Sequence, residues 1–263
     1  MPRPYKTRVI VVANQKGGVG KTTTAVNLAA ALARGGLRVL VIDLDPQGNA
    51  TTALGIENPE GTLGTYEVLG GTPISEVVQL SPEAESLWVV PATLDLAGAE
   101  MGLVNEMARE SHLRRALRRF LADYQLDYVF IDCPPSLGLL TVNAFVAAQE
   151  ILIPIQCEYY ALEGVKQLRR TVQLVTGTMN EDLYISTVVL TMYDARTRLS
   201  SDVAAEVRRA FPDETLNAVI PRSVRVAEAP SYDQTVISYH LASAGAQAYL
   251  AAATEIANRG VSQ

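Results

Sequence analysis

Several things are scarce in this sequence. Of 263 residues only two are cysteine, Cys133 and Cys157. Neither belongs to a Cys-x-x-Cys pair and both flank apolar, strand-like runs. That argues against a disulfide framework, and the two read as buried thiols of a chain kept in a reducing cytosol. No apolar run approaches the roughly 20 residues that cross a bilayer. Residues 1–7 are basic, but the apolar run behind them reads as a strand rather than the core of a secretory signal, so export is not expected. Positive charge is not in excess either. The formal net charge is −6, which argues against a strongly basic nucleic-acid protein; DNA contact would need a local patch, or one completed by two copies. No internal repeat, low-complexity segment or Pro/Ser linker divides the chain. A single domain over residues 8–258 is the simplest expectation, with a polar lead-in at 1–7 and a short tail at 259–263.

What is present is organised around Asn14-Gln15-Lys16-Gly17-Gly18-Val19-Gly20-Lys21-Thr22-Thr23. The apolar run Val9-Ile10-Val11-Val12-Ala13 leads in, and an Ala-rich helical pattern to Arg34 leads out. A strand, a glycine-rich turn and a helix start in that order make a phosphate cradle. Glycines let the backbone curl so that its N–H groups point inward, and the helix N-terminus adds partial positive charge. Lys21 would reach the β- and γ-phosphates and the Thr22 hydroxyl would ligate Mg²⁺. The usual P-loop carries a glycine five residues before Gly20; here that residue is Gln15, and Lys16 stands at the loop entrance.

Buried-strand patterns recur at about 38–42, 87–90, 128–132, 151–156, 185–190 and 216–220. Helical patterns fall at about 94–124 (with a break near Glu110-Ser111), 137–148, 162–176, 200–211 and 243–258, and short helical pieces at 51–80. Continuous apolar strands alternating with helices predict an α/β fold, a doubly wound, mostly parallel sheet with helices on both faces. Ligands of such sheets bind outside the carboxyl ends of the strands. Two acidic groups belong there. Asp43 and Asp45 follow Val39-Leu40-Val41-Ile42, and Asp132 follows Val129-Phe130-Ile131. Hydrolysis of a phosphoanhydride needs a metal, charge neutralisation and a positioned water. Asp132 is the candidate to hold the metal's water shell. With one residue between them, Asp43 and Asp45 point different ways, so Asp43 can support Mg²⁺ through water while Asp45 faces the γ-phosphate. Arg114, Arg115, Arg118 and Arg119 lie on the polar side of the 94–124 pattern and read as a solvated helix face, with contact to DNA or a partner as the alternative.

The loop with its entrance lysine resembles the deviant P-loop of the ParA/MinD family of ATPases. Further blocks carry the resemblance over nearly the whole chain, to about Ala248: Val41-Ile42-Asp43-Leu44-Asp45-Pro46-Gln47-Gly48-Asn49, Ile131-Asp132-Cys133-Pro134-Pro135-Ser136, Gln156-Cys157-Glu158-Tyr159-Tyr160-Ala161-Leu162-Glu163-Gly164 and Ile220-Pro221-Arg222-Ser223-Val224-Arg225-Val226-Ala227-Glu228-Ala229-Pro230-Ser231. These are similar to the Soj-type branch of chromosome-partition ATPases. The resemblance implies a cytoplasmic, nucleoid-associated P-loop NTPase with ATP and Mg²⁺ as cofactors. Nucleotide contacts fall on Lys16, Gly17, Gly18, Val19, Gly20, Lys21, Thr22 and Thr23, and at the adenine on Pro221 and Ser223, where relatives commonly carry asparagine. Catalytic roles fall on Lys16, which reaches the partner's nucleotide across a homodimer, on Lys21, and on Asp45, which positions the attacking water. The ATP dimer would bind double-stranded DNA without sequence preference through Arg196, Arg222 and Arg225, with Arg198 added from spacing alone. A ParB (Spo0J-type) centromere-binding partner would stimulate hydrolysis. The chain lacks the long N-terminal helix-turn-helix extension of larger plasmid ParA proteins, so operator binding is not expected. A MinD-like membrane ATPase is the alternative, but it needs a terminal amphipathic helix with a basic face, and 246–263 carries only Arg259.

Overall fold

The computed structural model describes residues 1–103 and 106–261. Secondary structure runs β1 (Arg8–Val12), α1 (Lys21–Arg34), β2 (Val39–Asp43), α2 (Asn49–Ala53), α3 (Thr65–Leu69), α4 (Ile74–Val77), β3 (Gln79–Leu80), β4 (Leu87–Val90), α5 (Ala99–Gly102), α6 (His112–Asp123), β5 (Tyr128–Asp132), α7 (Leu139–Ala147), β6 (Glu150–Gln156), α8 (Glu163–Thr178), β7 (Tyr184–Tyr193), α9 (Arg198–Ala210), β8 (Thr215–Pro221), α10 (Val224–Glu228), α11 (Val236–Tyr239) and α12 (Ala244–Arg259). Single 3₁₀ turns occupy Leu94–Gly98, Arg109–Ser111 and Ala229–Tyr232.

The strands form one sheet in the order β3-β4-β2-β5-β1-β6-β7-β8. Every pairing is parallel except the two-residue edge strand β3 against β4. The doubly wound, mostly parallel α/β architecture expected from the strand runs is therefore observed. Alternation along the strands sorts the core into two layers. Val9 and Val11 of β1 face one side, with Leu113, Leu117 and Phe120 of α6 and the buried faces of α7, α8 and α9. Ile10 and Val12 face the other, with the alanine-rich α1 and with Tyr249, Ala253 and Ile256 of α12. Small residues on α1 let it lie close to the sheet and to α12. Each buried Leu, Ile or Phe in these layers is worth about 1.5–3 kcal/mol, which is why runs with no polar interruption became strands covered on both faces.

The register does something the sequence pattern does not state. Asp43 at the end of β2 is paired with Asp132 at the end of β5, and Asp132 with Val12 at the end of β1. Both carboxylates are thereby brought to the strand ends beside the loop that leaves β1. The long helical pattern at 94–124 is not continuous. Two glycines, Gly98 and Gly102, and a left-handed Ala108 (φ 53°) interrupt it, and only the final stretch, α6, is a full helix; residues 104–105 lie outside the described residues. The N-terminal side of α12 is set by Ser243, whose hydroxyl accepts the Ala246 N–H at 3.2 Å. At its other end Arg259 donates to the carbonyls of Asp213, Glu214 and Thr215. That residue is a clamp between helix and sheet, and the helix extends one residue past the domain end expected from sequence. No helix among the described residues is long and apolar enough to cross a membrane.

Candidate nucleotide site

The loop between β1 and α1 is pinned on two strands. Asn14 donates its amide to the Pro154 carbonyl of β6 at 2.8 Å and accepts the Lys16 N–H at 3.1 Å. Further on, the Val19 carbonyl accepts the Thr191 hydroxyl of β7 at 2.9 Å. Between these anchors Gly18 and Gly20 adopt φ of 73° and 84°, a left-handed conformation that a side chain disfavours. Gly20 is the residue before α1, and its carbonyl takes the first helical bond, from Thr24 at 2.9 Å. A curled loop of this kind leading into a helix start is the backbone arrangement that an anion cradle uses.

Lys21 is 8 % exposed, with its ammonium 3.5 Å from the Lys16 carbonyl. Burial pulls its pKa down, although Asp132, Cys133 and Asp45 lie near enough to pull the other way. Asp132 has no exposed surface, and neither of its carboxylate oxygens is in a well-formed hydrogen bond, although the Thr22 hydroxyl lies close enough to act on its pKa as a donor. Burial drives its pKa well above the carboxylate range and the charge of Asp43 adds to the effect, while the neighbouring Thr22 hydroxyl and Lys21 oppose it. Asp43 is differently placed. Its Oδ2 accepts the Thr51 N–H at 2.8 Å and the Thr51 hydroxyl at 2.7 Å, and its Oδ1 accepts the Asp45 N–H at 3.2 Å. Burial still raises its pKa to about 6. Asp45 accepts the Gln47 N–H at 3.1 Å and is nearly buried. An ionised carboxylate with open lone pairs, sealed from water, is expensive unless a cation meets it. Asp132 thus has the free valences to hold a metal's water shell, and the donor set of hydroxyl and carboxylate oxygens suits Mg²⁺. Asp43 spends most of its capacity on Thr51, the residue whose hydroxyl also accepts the Ala92 N–H at 2.9 Å. Sequence reasoning missed that role for Thr51, and its fixed spacing from Asp43 across the Pro46-Gln47-Gly48 turn was its only signal.

A cleft of about 390 Å³ opens beside Thr22 and Thr23, walled by Asn49, Thr52, Pro230 and Gln234. Pro221 ends β8 opposite Tyr193. Ser223 stands immediately before α10, near Gly245 of α12. Lys16 is about one-third exposed, with its ammonium 4.0 Å from Glu158. The same Glu158 accepts from Arg222 at 3.0 Å. Glu158 follows Gln156-Cys157, but nothing in the local sequence marks it as the meeting point of a P-loop lysine and an arginine 64 residues away. The remaining candidate arginines are paired as well. Arg196 grips Asp194 through Nε and Nη2 at 2.9 and 2.8 Å, which lowers the Asp194 pKa to about 2. Arg225 meets Glu228 at 2.9 Å and Arg198 meets Asp202 at 3.6 Å. All are exposed, at the end of the sheet occupied by β7 and β8.

Comparison with known proteins decides the family. The family model described as "AAA domain" matches residues 7–185. The chain is 50 % identical over 254 residues to the sporulation initiation inhibitor protein Soj of Bacillus subtilis, covering 96 % of this chain and 99 % of that one. It is 51 % identical over 253 residues to the chromosome partitioning protein ParA of Caulobacter vibrioides, covering 96 % and 94 %. The chain belongs to the Soj/ParA family of chromosome-partitioning P-loop proteins. Among solved structures, cobyrinic acid a,c-diamide synthase from Mycobacterium smegmatis, with bound ADP and magnesium, superposes with a TM-score of 0.82 at 40 % identity, covering 95 % of this chain and 94 % of that one. The buried Lys21, the buried Asp132 and the pinned glycine loop together make up the candidate nucleotide site of this Soj/ParA chain.

Proposed function

We propose that this chain is a magnesium-dependent ATPase that works as a dimerisation switch in DNA partitioning. The observation that carries the reading is the buried Asp132, without a well-formed hydrogen bond, next to Lys21 and Thr22 at the mouth of a pinned glycine loop. In this reading the loop N–H groups of Gly17, Gly18, Val19 and Gly20 and the Lys21 ammonium hold the phosphates, with Thr23 beside them. Thr22 offers its hydroxyl to Mg²⁺, and Asp132 and the remaining lone pair of Asp43 hold its water shell. The bound ion supplies charge neutralisation on the phosphate oxygens. Asp45 orients the attacking water, its carboxylate fixed by the Gln47 N–H on one side and its backbone by Asp43 on the other. Pro221 and Ser223 border the base.

Lys16 leaves Glu158 and reaches the nucleotide of a second copy, which closes an ATP-dependent homodimer. The dimer binds double-stranded DNA without sequence preference through Arg196, Arg222 and Arg225. Those arginines are covered by acidic partners in the single chain, so binding requires phosphates to displace carboxylates, an exchange that two aligned patches favour more than one. A ParB (Spo0J-type) partner stimulates hydrolysis, and loss of the γ-phosphate separates the copies and frees the DNA. The site of action is the cytoplasm, at the nucleoid.

The name of the M. smegmatis structure brings in an amide-forming reading. It requires an acceptor pocket with further catalytic groups, whereas Lys21, Asp43, Asp45 and Asp132 cluster beside the glycine loop. Product analysis with ATP alone separates the two: ADP and phosphate without an acceptor support the switch. The direct test is DNA affinity measured without nucleotide, with ADP and with Mg²⁺–ATP over a salt series. The switch requires ATP to raise affinity well above the other two states and Arg225→Ala to remove that increment. An equal affinity in all three states refutes it.

A further inference from the structure

The candidate DNA arginines all pair with carboxylates, whereas a group of unpaired cations stands on another element. Helix α6 exposes Arg114, Arg115, Arg118 and Arg119. No carboxylate of a described residue comes within ion-pair reach of any of them. On a chain of net charge −6 this helix is a local reversal of sign. Arg115 and Arg119 border a cleft of about 260 Å³ between α6 and the turn that joins α3 to α4. Its walls are partly apolar. Pro73 contributes from the turn, and Phe120 from the helix, with the Tyr124 ring stacked on it at a centroid distance of 4.5 Å. Tyr124 is 49 % exposed, so a large aromatic face is open to a partner. Asp123 lines the same cleft. Along the helix axis Arg115, Arg119 and Asp123 follow one another at steps of about 6 Å.

Tyrosine and arginine are enriched where protein–protein contacts bind most strongly. A recess with apolar walls takes one inserted side chain, and each arginine beside it can grip a carboxylate through two parallel N–H bonds. A DNA duplex has no group to fill such a recess. The negative charge of the whole chain also opposes a polyanion more than it opposes a segment with a few carboxylates. We infer that the cleft between α6 and the α3–α4 turn docks an acidic segment of a partner protein, with carboxylates on Arg115 and Arg119 and an apolar side chain against Pro73, Phe120 and Tyr124. Asp123 gives the cleft a polarity. A carboxylate beyond Arg119 meets a like charge, so the segment is neutral or basic at that end. Helix α6 packs on α3, α4 and α7 and leads into β5, whereas the candidate DNA arginines follow β7 and β8 at the other flank of the sheet. Docking on α6 therefore leaves the proposed nucleotide and DNA surfaces open, and a partner can hold the chain in place in any nucleotide state. The inference stands apart from the ATP-driven switch, because its test contains no nucleotide.

The experiment selects short random peptides displayed on phage against the full, nucleotide-free chain. The leading peptide is then synthesised with a fluorophore and its affinity read by anisotropy. Selected peptides should carry a pair of acidic residues close to a leucine or an aromatic residue. R115Q/R119Q should weaken the leading peptide at least about tenfold, and R115K/R119K should weaken it less, since lysine keeps the charge but not the fork. Asp123→Lys should strengthen it at least about threefold, a gain that damage to the fold does not produce. All three positions are exposed, and circular dichroism checks that each variant is folded. Selection without acidic enrichment would overturn the inference. So would a leading peptide whose affinity survives R115Q/R119Q or falls with Asp123→Lys. A DNA duplex that displaces the peptide as well as unlabelled peptide of equal charge would overturn it too, by assigning the cleft to nucleic acid.

Discussion

Replacing Asp132 by asparagine should make the ligand-free protein more stable while destroying its response to magnesium. In the folded chain this carboxylate is sealed from water with no well-formed hydrogen bond on either oxygen, and the neighbouring charge of Asp43 makes its ionisation costlier still. Leaving this buried group unsatisfied, or holding it protonated against its ordinary acidity, costs at least about 1–3 kcal/mol. The amide keeps the shape, removes the charge and brings two donors, which the nearby Asp43 and Asp45 carboxylates can accept. An increase of about 1–3 kcal/mol corresponds to roughly 3–10 °C in melting temperature for a chain of this size. The pH dependence has a definite sign. Asp43, raised from 3.8 to about 6, and Asp132, raised further still by burial, both favour the protonated form when folded. Their cost is fully present above the folded values and is relieved as pH falls through them. For Asp43 that window runs from about 6 down to about 4 and amounts to on the order of 3 kcal/mol. The ligand-free wild type should therefore gain stability on mild acidification, and the variant should gain less. Adding Mg²⁺–ADP should reverse the order, since a ligand at about 100 times its Kd stabilises by about 2.7 kcal/mol and the variant has lost the metal's support. Differential scanning fluorimetry at pH 7.5 and 5.5, with and without Mg²⁺–ADP, reads all four quantities. A ligand-free variant that melts below the wild type, with wild-type circular dichroism, would refute the reasoning.

Other outcomes follow from the same geometry. Lys21→Ala should lose nucleotide binding altogether in equilibrium dialysis, because the cradle keeps its N–H groups but not its buried cation. Asp45→Ala should bind ATP normally yet release phosphate far more slowly; normal turnover would take Asp45 out of its proposed role. Stability has its own test in Arg8 and Glu150, which form a bidentate pair at 2.7 and 2.6 Å, both nearly buried, with Arg8 also donating to the Ile256 carbonyl at 2.8 Å. Glu150→Gln leaves the guanidinium buried and half-paired and should cost about 3–5 kcal/mol in urea unfolding, while a compact apolar replacement of both residues should recover much of that loss.

Much of this was readable in the sequence because it is local. Strands covered on both faces must be apolar throughout, so Val39-Leu40-Val41-Ile42 and Tyr128-Val129-Phe130-Ile131 announce themselves, and the aspartates that follow fall at strand ends by necessity. A glycine loop between strand and helix has one chemistry of note. What stayed hidden depends on contacts made across the fold. That Asp43 is occupied by Thr51 while Asp132 is open follows from where α2 begins. That Arg222 and Lys16 converge on Glu158 follows from the parallel order of β1, β6, β7 and β8. The edge strand β3 is two residues long and pairs only because β4 is beside it. The sequence suggests a break in the 94–124 pattern near 110, but glycines at 98 and 102 and the left-handed Ala108 interrupt a longer stretch ahead of it.

The central claim is that nucleotide joins two copies, and mass in solution tests it most directly. Light scattering of the Asp45→Ala chain at saturating Mg²⁺–ATP should give twice the 28.3 kDa of one chain, while Lys16→Ala, still binding nucleotide, should stay at the single-chain mass. A turnover-blocked chain that remains at 28.3 kDa under those conditions, or a Lys16→Ala chain that doubles like the rest, would contradict the account.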